Sequence, residues 1–148
     1  MDEVMLRGYH PGDADAMYAL DLVCFEPVFR FSRRAMRTFA EAQGAVAVLA
    51  EAAGELVGFC IAQMEDNLGY VVTLDVAPAW RRRGLARRLM GAAEDRVRAS
   101  GGVGMELHVF KENVAAMQFY EGMGYGRVGR AEGFYGRGRD ALVYRKRW

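Results

Sequence analysis

The sequence predicts an α/β fold in which a mixed central sheet is flanked by helices, in the order βααβββαβαββ. Three observations support this order. Two helical patterns directly follow the first strand, and three strand patterns with short turns then indicate an antiparallel meander. Helices and strands alternate after that, before a closing pair of strands. No linker, repeat or low-complexity run divides the 148 residues, so we expect one domain over residues 1–148.

The first half begins with a strand over residues 4–9, which Pro11 and Gly12 end. Asp13 or Asp15 can cap a helix to about Cys24, whose inward residues are expected to be Ala16, Met17, Leu20 and Val23. Ser32 then caps a short helix to about residue 42, which Gly44 ends. Apolar strand patterns follow over residues 45–51, 56–65 and 69–77.

The second half has a helix from Gly84 to about Ser100, with apolar residues at helical spacing, and a strand over residues 105–110. Asn113 can cap a helix over residues 114–123, which Gly124 ends. The closing strands are predicted over residues 125–130 and 140–146, joined by a loop over residues 131–139.

Composition excludes several classes of protein. The net charge of +1 gives no global field for nucleic acid, so no nucleic-acid partner is expected. Cys24 and Cys60 have no CxxC spacing, and two isolated histidines offer no ligand cluster, so we expect neither a disulfide framework nor a metal site. Met1-Asp2-Glu3 is not the start of a signal peptide, and no apolar run reaches the roughly 20 residues of a membrane span. We therefore expect a cytoplasmic protein with no membrane partner.

Residues 81–86 form the turn from a strand to the helix that follows. Three arginines there lie at the positive end of the helix dipole, which is unfavourable for cations. A bound anion would neutralise this positive charge, so we expect an anion to bind here. Free N–H groups of the first turn, Gly84 and a small residue two positions on would suit phosphate oxygens. A solvated basic helix start that binds nothing is the alternative. A glycine-rich dinucleotide turn and a Walker loop are the rival phosphate cradles, and we expect the chain to lack both GxGxxG and GxxxxGK[ST].

These residues resemble a motif of the GNAT superfamily of acetyl-CoA-dependent N-acetyltransferases. That motif is Arg or Gln, two residues, Gly, one residue, and Gly or Ala, and here it reads Arg81-Arg82-Arg83-Gly84-Leu85-Ala86. A strand precedes it, and Asn113-Val114-Ala115-Ala116-Met117-Gln118-Phe119-Tyr120 follows downstream at the usual spacing. The resemblance covers most of the chain and implies acetyl-CoA as cosubstrate. It implies cofactor binding by Leu74, Val76, Arg81, Arg82, Arg83, Gly84, Leu85, Ala86, Asn113 and Tyr120.

Within the superfamily, the chain most resembles N-terminal protein acetyltransferases of the bacterial RimI type and the eukaryotic NatE type. The resemblance to NatE places a base at Tyr70 and His108, whereas RimI-type chains have a glutamate at the latter position. It also makes Tyr120 the general acid beside the thioester sulfur. The alternatives without a catalytic role are that His108 is a hydrogen-bonded histidine on a half-buried sheet face and that Tyr120 is a structural tyrosine. Asp75 can reach the active-site side or pair with an arginine, and the sequence does not decide.

Two segments resemble the substrate-binding loops of these enzymes. Phe25-Glu26-Pro27-Val28 is similar to the Phe-Pro-Val segment of NatE, with Glu26 as an inserted acidic residue. Phe134 and Tyr135 are similar to the Tyr-Tyr loop of RimI-type chains. By this resemblance both segments, together with Tyr70, bind the N-terminus of a peptide.

The sequence therefore predicts acetyl transfer to a primary amine, namely the N-terminal α-amine of a protein or peptide such as a ribosomal protein. A GNAT that acetylates a small amine, such as an amino acid, polyamine or antibiotic, is the first alternative. A non-catalytic CoA- or RNA-binding module is the second. Whether the chain is a monomer or a homodimer is left open.

Overall fold

A computed structural model describes residues 3–148. Of the acidic opening Met1-Asp2-Glu3, only Glu3 therefore lies within the described residues. The strands and helices are β1 (Val4–Arg7), α1 (Ala14–Cys24), α2 (Arg33–Glu41), β2 (Ala45–Ala52), β3 (Glu55–Glu65), β4 (Leu68–Val76), α3 (Leu85–Ala99), β5 (Gly104–Phe110), α4 (Val114–Gly122), β6 (Gly126–Ala131) and β7 (Ala141–Arg147).

The predicted order βααβββαβαββ is confirmed, and each boundary falls within about two residues of the prediction. The strands form one sheet in the order β1-β2-β3-β4-β5-β7-β6. Its pairs are antiparallel except for β4 with β5, so the sheet is mixed as expected. Ala53 and Gly54 both have positive φ (51° and 80°) and turn β2 into β3, as a tight two-residue hairpin requires.

Helices cover both faces of the sheet. Met17 of α1 and Met36 of α2 are fully buried against Leu49, Phe59 and Ile61 on one face. The intervening residues of the same strands point to the other face, where α3 packs on them. The buried residues of α3 are Leu85, Leu89, Met90, Ala93 and Val97. The central strands are therefore apolar on both faces, which explains their continuous hydrophobic runs in the sequence.

The predicted inward face of α1 is wrong in part. Ala16 is exposed and Val23 is 64% exposed. The buried positions are instead Ala14, Met17 and Asp21. An aspartate occupies an inward position, so the apolar pattern pointed to a neighbouring stripe of the helix.

Candidate active site

The strands β4 and β5 pair for only three residues and then separate. The parallel register joins Leu68, Gly69 and Tyr70 to Gly104, Met105 and Glu106, and no later pair follows. This separation leaves a gap between the two strands. It opens a cavity of about 1030 Å³ that reaches both faces of the sheet.

One end of the cavity is the turn before α3. Gly84 has a φ of +80°, and a Cβ built there would meet no atom within 4 Å, so the backbone is open to a ligand. The first intrahelical bond comes from Arg88 N to Gly84 O, which leaves earlier N–H groups of the turn without helical partners. Such a turn can hold phosphate oxygens, and the resemblance to GNAT enzymes implies that these belong to the pyrophosphate of CoA.

The arginines of the turn have different surroundings. Arg81 and Arg82 line the cavity, as do Gly84, Leu85 and Ala86, and Arg87 joins them. Arg81 also donates from Nε to the carbonyl of Val76 (3.1 Å). Arg83 is outside the lining residues and stacks on Trp80, with 4.9 Å from its guanidinium carbon to the ring centre. The geometry therefore does not support the predicted role of Arg83 in direct cofactor binding.

The spacing GxGxxG does occur elsewhere, at residues 124–129. There it follows α4 and enters β6, so it does not open a helix. A dinucleotide-binding turn needs the helix N-terminus that this stretch lacks.

The helix α4 brings Tyr120 to the cavity. The Asn113 side chain accepts from Ala116 N (3.1 Å), which confirms the predicted cap, and both residues line the cavity. Tyr120 is only 9% exposed, and among residues 3–148 its hydroxyl has no hydrogen-bond partner. Burial raises the pKa of Tyr120, so its hydroxyl stays protonated at neutral pH.

Tyr70 and His108 form a hydrogen-bonded pair where β4 and β5 begin to separate. The Tyr70 hydroxyl lies 2.7 Å from His108 Nδ1. Burial lowers the pKa of His108, so the imidazole is neutral at pH 7 and able to accept a proton. Burial raises the pKa of Tyr70, which keeps its hydroxyl protonated.

Aromatic rings surround this pair. Phe134 stacks on the imidazole of His108, with ring centres 4.0 Å apart and planes inclined by 6°. The Tyr135 hydroxyl donates to the His108 carbonyl (3.3 Å), and burial raises the pKa of Tyr135 to about 12. The ring of Tyr135 also lies 4.9 Å from Phe29, which in turn lies 5.1 Å from Phe110. The sequence-predicted loop at residues 134–135 thus meets the histidine directly.

The other predicted substrate segment contributes only in part. Phe25 and Val28 line the cavity, but Glu26 and Pro27 are exposed and do not. The residues from Pro27 to Phe29 form a 3-10 turn that directs Phe29 inward instead. Sequence reasoning missed Phe29, although an aromatic residue so close to Phe25 was an available signal.

Asp75 does not line the cavity. It is fully buried on the α1 side of β4, where Thr73 Oγ1 donates to its Oδ1 (2.5 Å). Among the described residues, Asp75 neither lines the cavity nor forms an ion pair with an arginine, so the structure supports neither alternative that the sequence left open. Besides Thr73, the carboxyl group of Asp75 has the carboxyl group of Asp21 beside it.

Among the residues that the structure describes, no helix is long and apolar enough to cross a membrane. Within the same residues, no group of three or more metal-ligating side chains is found.

A mixed sheet whose central parallel strands separate beside a helix N-terminus defines the class of acetyl-CoA-dependent N-acetyltransferases. The chain belongs to the acetyltransferase (GNAT) family, whose sequence model matches residues 14–125. This membership was predicted from the residues 81–86 and 113–120.

Comparison with individual proteins gives relatives of more than one kind. The chain is 35% identical over 98 residues to N-alpha-acetyltransferase 20 of Dictyostelium discoideum, which covers 63% of the chain and 57% of that relative. It is 36% identical over 86 residues to the mycothiol acetyltransferase of Kineococcus radiotolerans, covering 57% of the chain and 27% of that relative. The chain thus spans about half the length, or less, of the curated relatives it matches.

Solved structures show the same fold. The ribosomal-protein-S18-alanine N-acetyltransferase from Escherichia coli superposes with a TM-score of 0.87 at 20% identity, over 98% of this chain and 94% of that one. At this identity the likeness concerns the fold alone.

Proposed function

We propose that this chain transfers the acetyl group of acetyl-CoA to the N-terminal α-amine of a protein or peptide. The observation that carries the proposal is the contact of 2.7 Å between Tyr70 and His108. This pair lies in the same cavity as the residues of the 81–86 turn, with an apolar aromatic wall beside it. We propose that residues 3–148 make up one such acetyltransferase domain.

A neutral imidazole is well matched to an α-amine. Holding an α-amine of pKa about 7.7–8.0 neutral at pH 7 costs about 1–1.4 kcal/mol, whereas a lysine of pKa about 10.4 costs about 4.6 kcal/mol. Because burial lowers the pKa of His108, the histidine is a mild base. A mild base suffices for the α-amine and not for the lysine.

The contact between Tyr70 and His108 supports a proton relay. In the tautomer where the Tyr70 hydroxyl donates to Nδ1, that nitrogen is free to take the proton. A proton that leaves the amine, directly or through water, reaches the Tyr70 oxygen while the hydroxyl proton passes to Nδ1. The amine is then neutral and the charge rests on the imidazolium, against the face of Phe134.

At the other side of the reacting atoms, we assign Tyr120 the role of general acid. When bound, acetyl-CoA supplies a thioester whose cleavage releases a thiolate. The protonated, otherwise unpartnered Tyr120 hydroxyl is suited to donate to that sulfur as negative charge develops. Leu74 and Val76 of β4 line the cavity, and we assign the thioester carbonyl to backbone N–H groups near Val76. We assign the pyrophosphate to the 81–86 turn and the remaining cofactor contact to Asn113.

The wall beside His108 favours a peptide end with an apolar first side chain. Its members are all apolar or aromatic, namely Phe25, Val28, Phe29, Phe110, Phe134 and Tyr135. Glu65 is the one carboxylate among the described lining residues, whereas a polyamine or aminoglycoside would need several. This favours the peptide over the small-amine alternative. A cytoplasmic location stays a prediction from the cysteine content.

A substrate screen tests the proposal. The purified chain is incubated with acetyl-CoA and a mixture of free-amine peptides, N-terminally blocked peptides with a lysine, metabolites and aminoglycosides, and products are read by mass spectrometry. We expect acetylation at the α-amine of peptides with an apolar first residue. Acetylation confined to small amines would overturn the peptide assignment, and binding of acetyl-CoA without turnover would support the non-catalytic alternative.

A further inference from the structure

Two aspartates meet in the core between α1 and β4, outside the cavity. Asp21 and Asp75 are both 0% exposed. Each has one satisfied oxygen: Asp21 Oδ2 accepts from Phe31 N (2.8 Å), and Asp75 Oδ1 accepts from Thr73 Oγ1 (2.5 Å). The other two oxygens, Asp21 Oδ1 and Asp75 Oδ2, are buried without a donor among residues 3–148, yet the two side chains lie within hydrogen-bonding reach of each other.

A single proton shared by the two carboxyl groups would remove both their repulsion and the unsatisfied acceptors. Two ionised carboxylates in contact inside a core repel each other and leave two acceptors unsatisfied. A single proton taken from solvent makes one carboxyl the donor and the other the acceptor. The pair then carries one negative charge instead of two. Burial, together with the hydrogen bond and charge of Asp21, raises the pKa of Asp75 well above its usual value.

Among residues 3–148, no cationic side chain hydrogen-bonds to Asp21 or Asp75. Arg81 from the turn before α3 is the cation that faces Asp75, and it favours ionisation without hydrogen bonding to the carboxylate. The other titratable groups near Asp75 come from three different elements and are neutral because burial raises their pKa, namely Cys24 of α1, Cys60 of β3 and Tyr120 of α4.

The pair joins the two halves of the site. Asp21 holds the backbone of Phe31, at the end of the segment that carries Phe25, Val28 and Phe29. Asp75 lies in β4 between two residues that line the cofactor side of the cavity, Leu74 and Val76. The contact between Asp21 and Asp75 therefore links β4 to the segment with Phe25, Val28 and Phe29, which we call the peptide wall.

We propose that Asp21 and Asp75 share one proton at neutral pH and act as positioning residues that hold the peptide wall against β4. Only the catalytic consequence rests on the proposed function. Loss of the shared proton at alkaline pH separates the two carboxylates and loosens the segment that ends at Phe31. The binding of peptide then weakens more than the binding of acetyl-CoA.

The first test needs no substrate. Wild type, Asp75→Asn and Asp21→Asn are compared with Asp95→Asn, a control at an exposed position of α3. The asparagine amide donates the hydrogen bond permanently, so no titrating proton is needed. We expect the infrared band of a protonated carboxylic acid at pH 8 in wild type and in the control, and its absence in both core variants.

Denaturant unfolding gives a second readout of the same proton. A raised folded-state pKa means that the folded chain binds the extra proton, so stability falls as pH rises from the unfolded pKa of an aspartate to the folded one. Over that window one extra bound proton makes the unfolding equilibrium constant rise about tenfold per pH unit. Wild type should show this rise in addition to whatever pH dependence Asp75→Asn shows. Equal slopes in the two proteins, or no acid band in wild type, would overturn the shared proton.

The positioning role is tested by steady-state kinetics at pH 7 and pH 9.5. Since titration of the peptide amine affects all variants alike, the comparison is the ratio of peptide KM values at the two pH values. We expect this ratio to be larger in wild type and Asp95→Asn than in Asp75→Asn, with the KM for acetyl-CoA changing less. Equal ratios would refute the positioning role. If no peptide is acetylated, the proposed function fails, while the infrared and unfolding results still decide whether the proton is shared.

Discussion

Replacement of the Tyr70 and His108 side chains gives a quantitative test of the proposed base. In Tyr70→Phe, the hydroxyl that lies 2.7 Å from His108 Nδ1 is removed and the ring is kept. A hydrogen bond contributes about 0.5–1.5 kcal/mol net, so its loss alone lowers kcat/KM for a peptide about two- to tenfold, and loss of the proton relay through Tyr70 lowers it further.

His108→Ala should have a larger effect. If the base only neutralises the α-ammonium group, its loss at pH 7 costs about 1–1.4 kcal/mol, which is roughly tenfold in rate. If it also takes the proton in the transition state, the loss reaches about two to three orders of magnitude. We therefore expect turnover to fall by about one to three orders of magnitude.

The pH dependence separates these contributions. Since burial lowers the pKa of His108, protonation of this histidine should reduce the wild-type rate only at lower pH than an ordinary histidine would. At pH 9 the α-amine is largely neutral without help, so the ratio of wild-type to His108→Ala rates should shrink. Rates are measured with saturating acetyl-CoA, and Tyr9→Phe, which removes a hydroxyl bonded to Glu41 away from the cavity, is the matched control. Unchanged rates in both site variants would refute the assignment.

Three further predictions concern the acid, the turn and the peptide wall. Tyr120→Phe should lower kcat by about one to three orders of magnitude, measured with saturating substrates, and an unchanged kcat would contradict its role as acid. Gly84→Ala strains a backbone with φ of +80° by about 1–2 kcal/mol and places a methyl group where the cofactor is expected, so the KM for acetyl-CoA should rise. The control Gly91→Ala, within α3 and with open space around it, should instead stabilise the fold by up to about 1 kcal/mol in denaturant unfolding. Glu26→Ala should leave the preference for the first residue unchanged in a peptide library, while Val28→Arg should shift it; a shift in the first and none in the second would contradict the observed wall.

Much of the architecture could be predicted from the sequence because local signals agree with the tertiary structure. Ser32 and Asn113 cap α2 and α4 through side-chain oxygens, and their identity and position make these helix starts visible without any tertiary information. Alternation along β5 puts His108 on the face opposite to the buried Leu107, a relation that follows from the strand period alone. The inward face of α1 was predicted wrongly in part for an equally local reason. Asp21 is a charged residue type at a buried position, so the apolar pattern does not mark the buried stripe.

The sequence by itself determined the fold class, the family and the position of the turn at residues 81–86, because these depend on periodicity, caps and a spaced motif. The tertiary structure decided which side chains meet. The contact between Tyr70 and His108 joins two strands that are 38 residues apart, and it depends on where β4 and β5 cease to pair. The 3-10 turn likewise decided that Phe29 and not Glu26 borders the cavity. The pairing of Asp21 with Asp75 was hidden from the sequence, since burial and contact between distant elements, and not residue type, set the protonation of a carboxyl group.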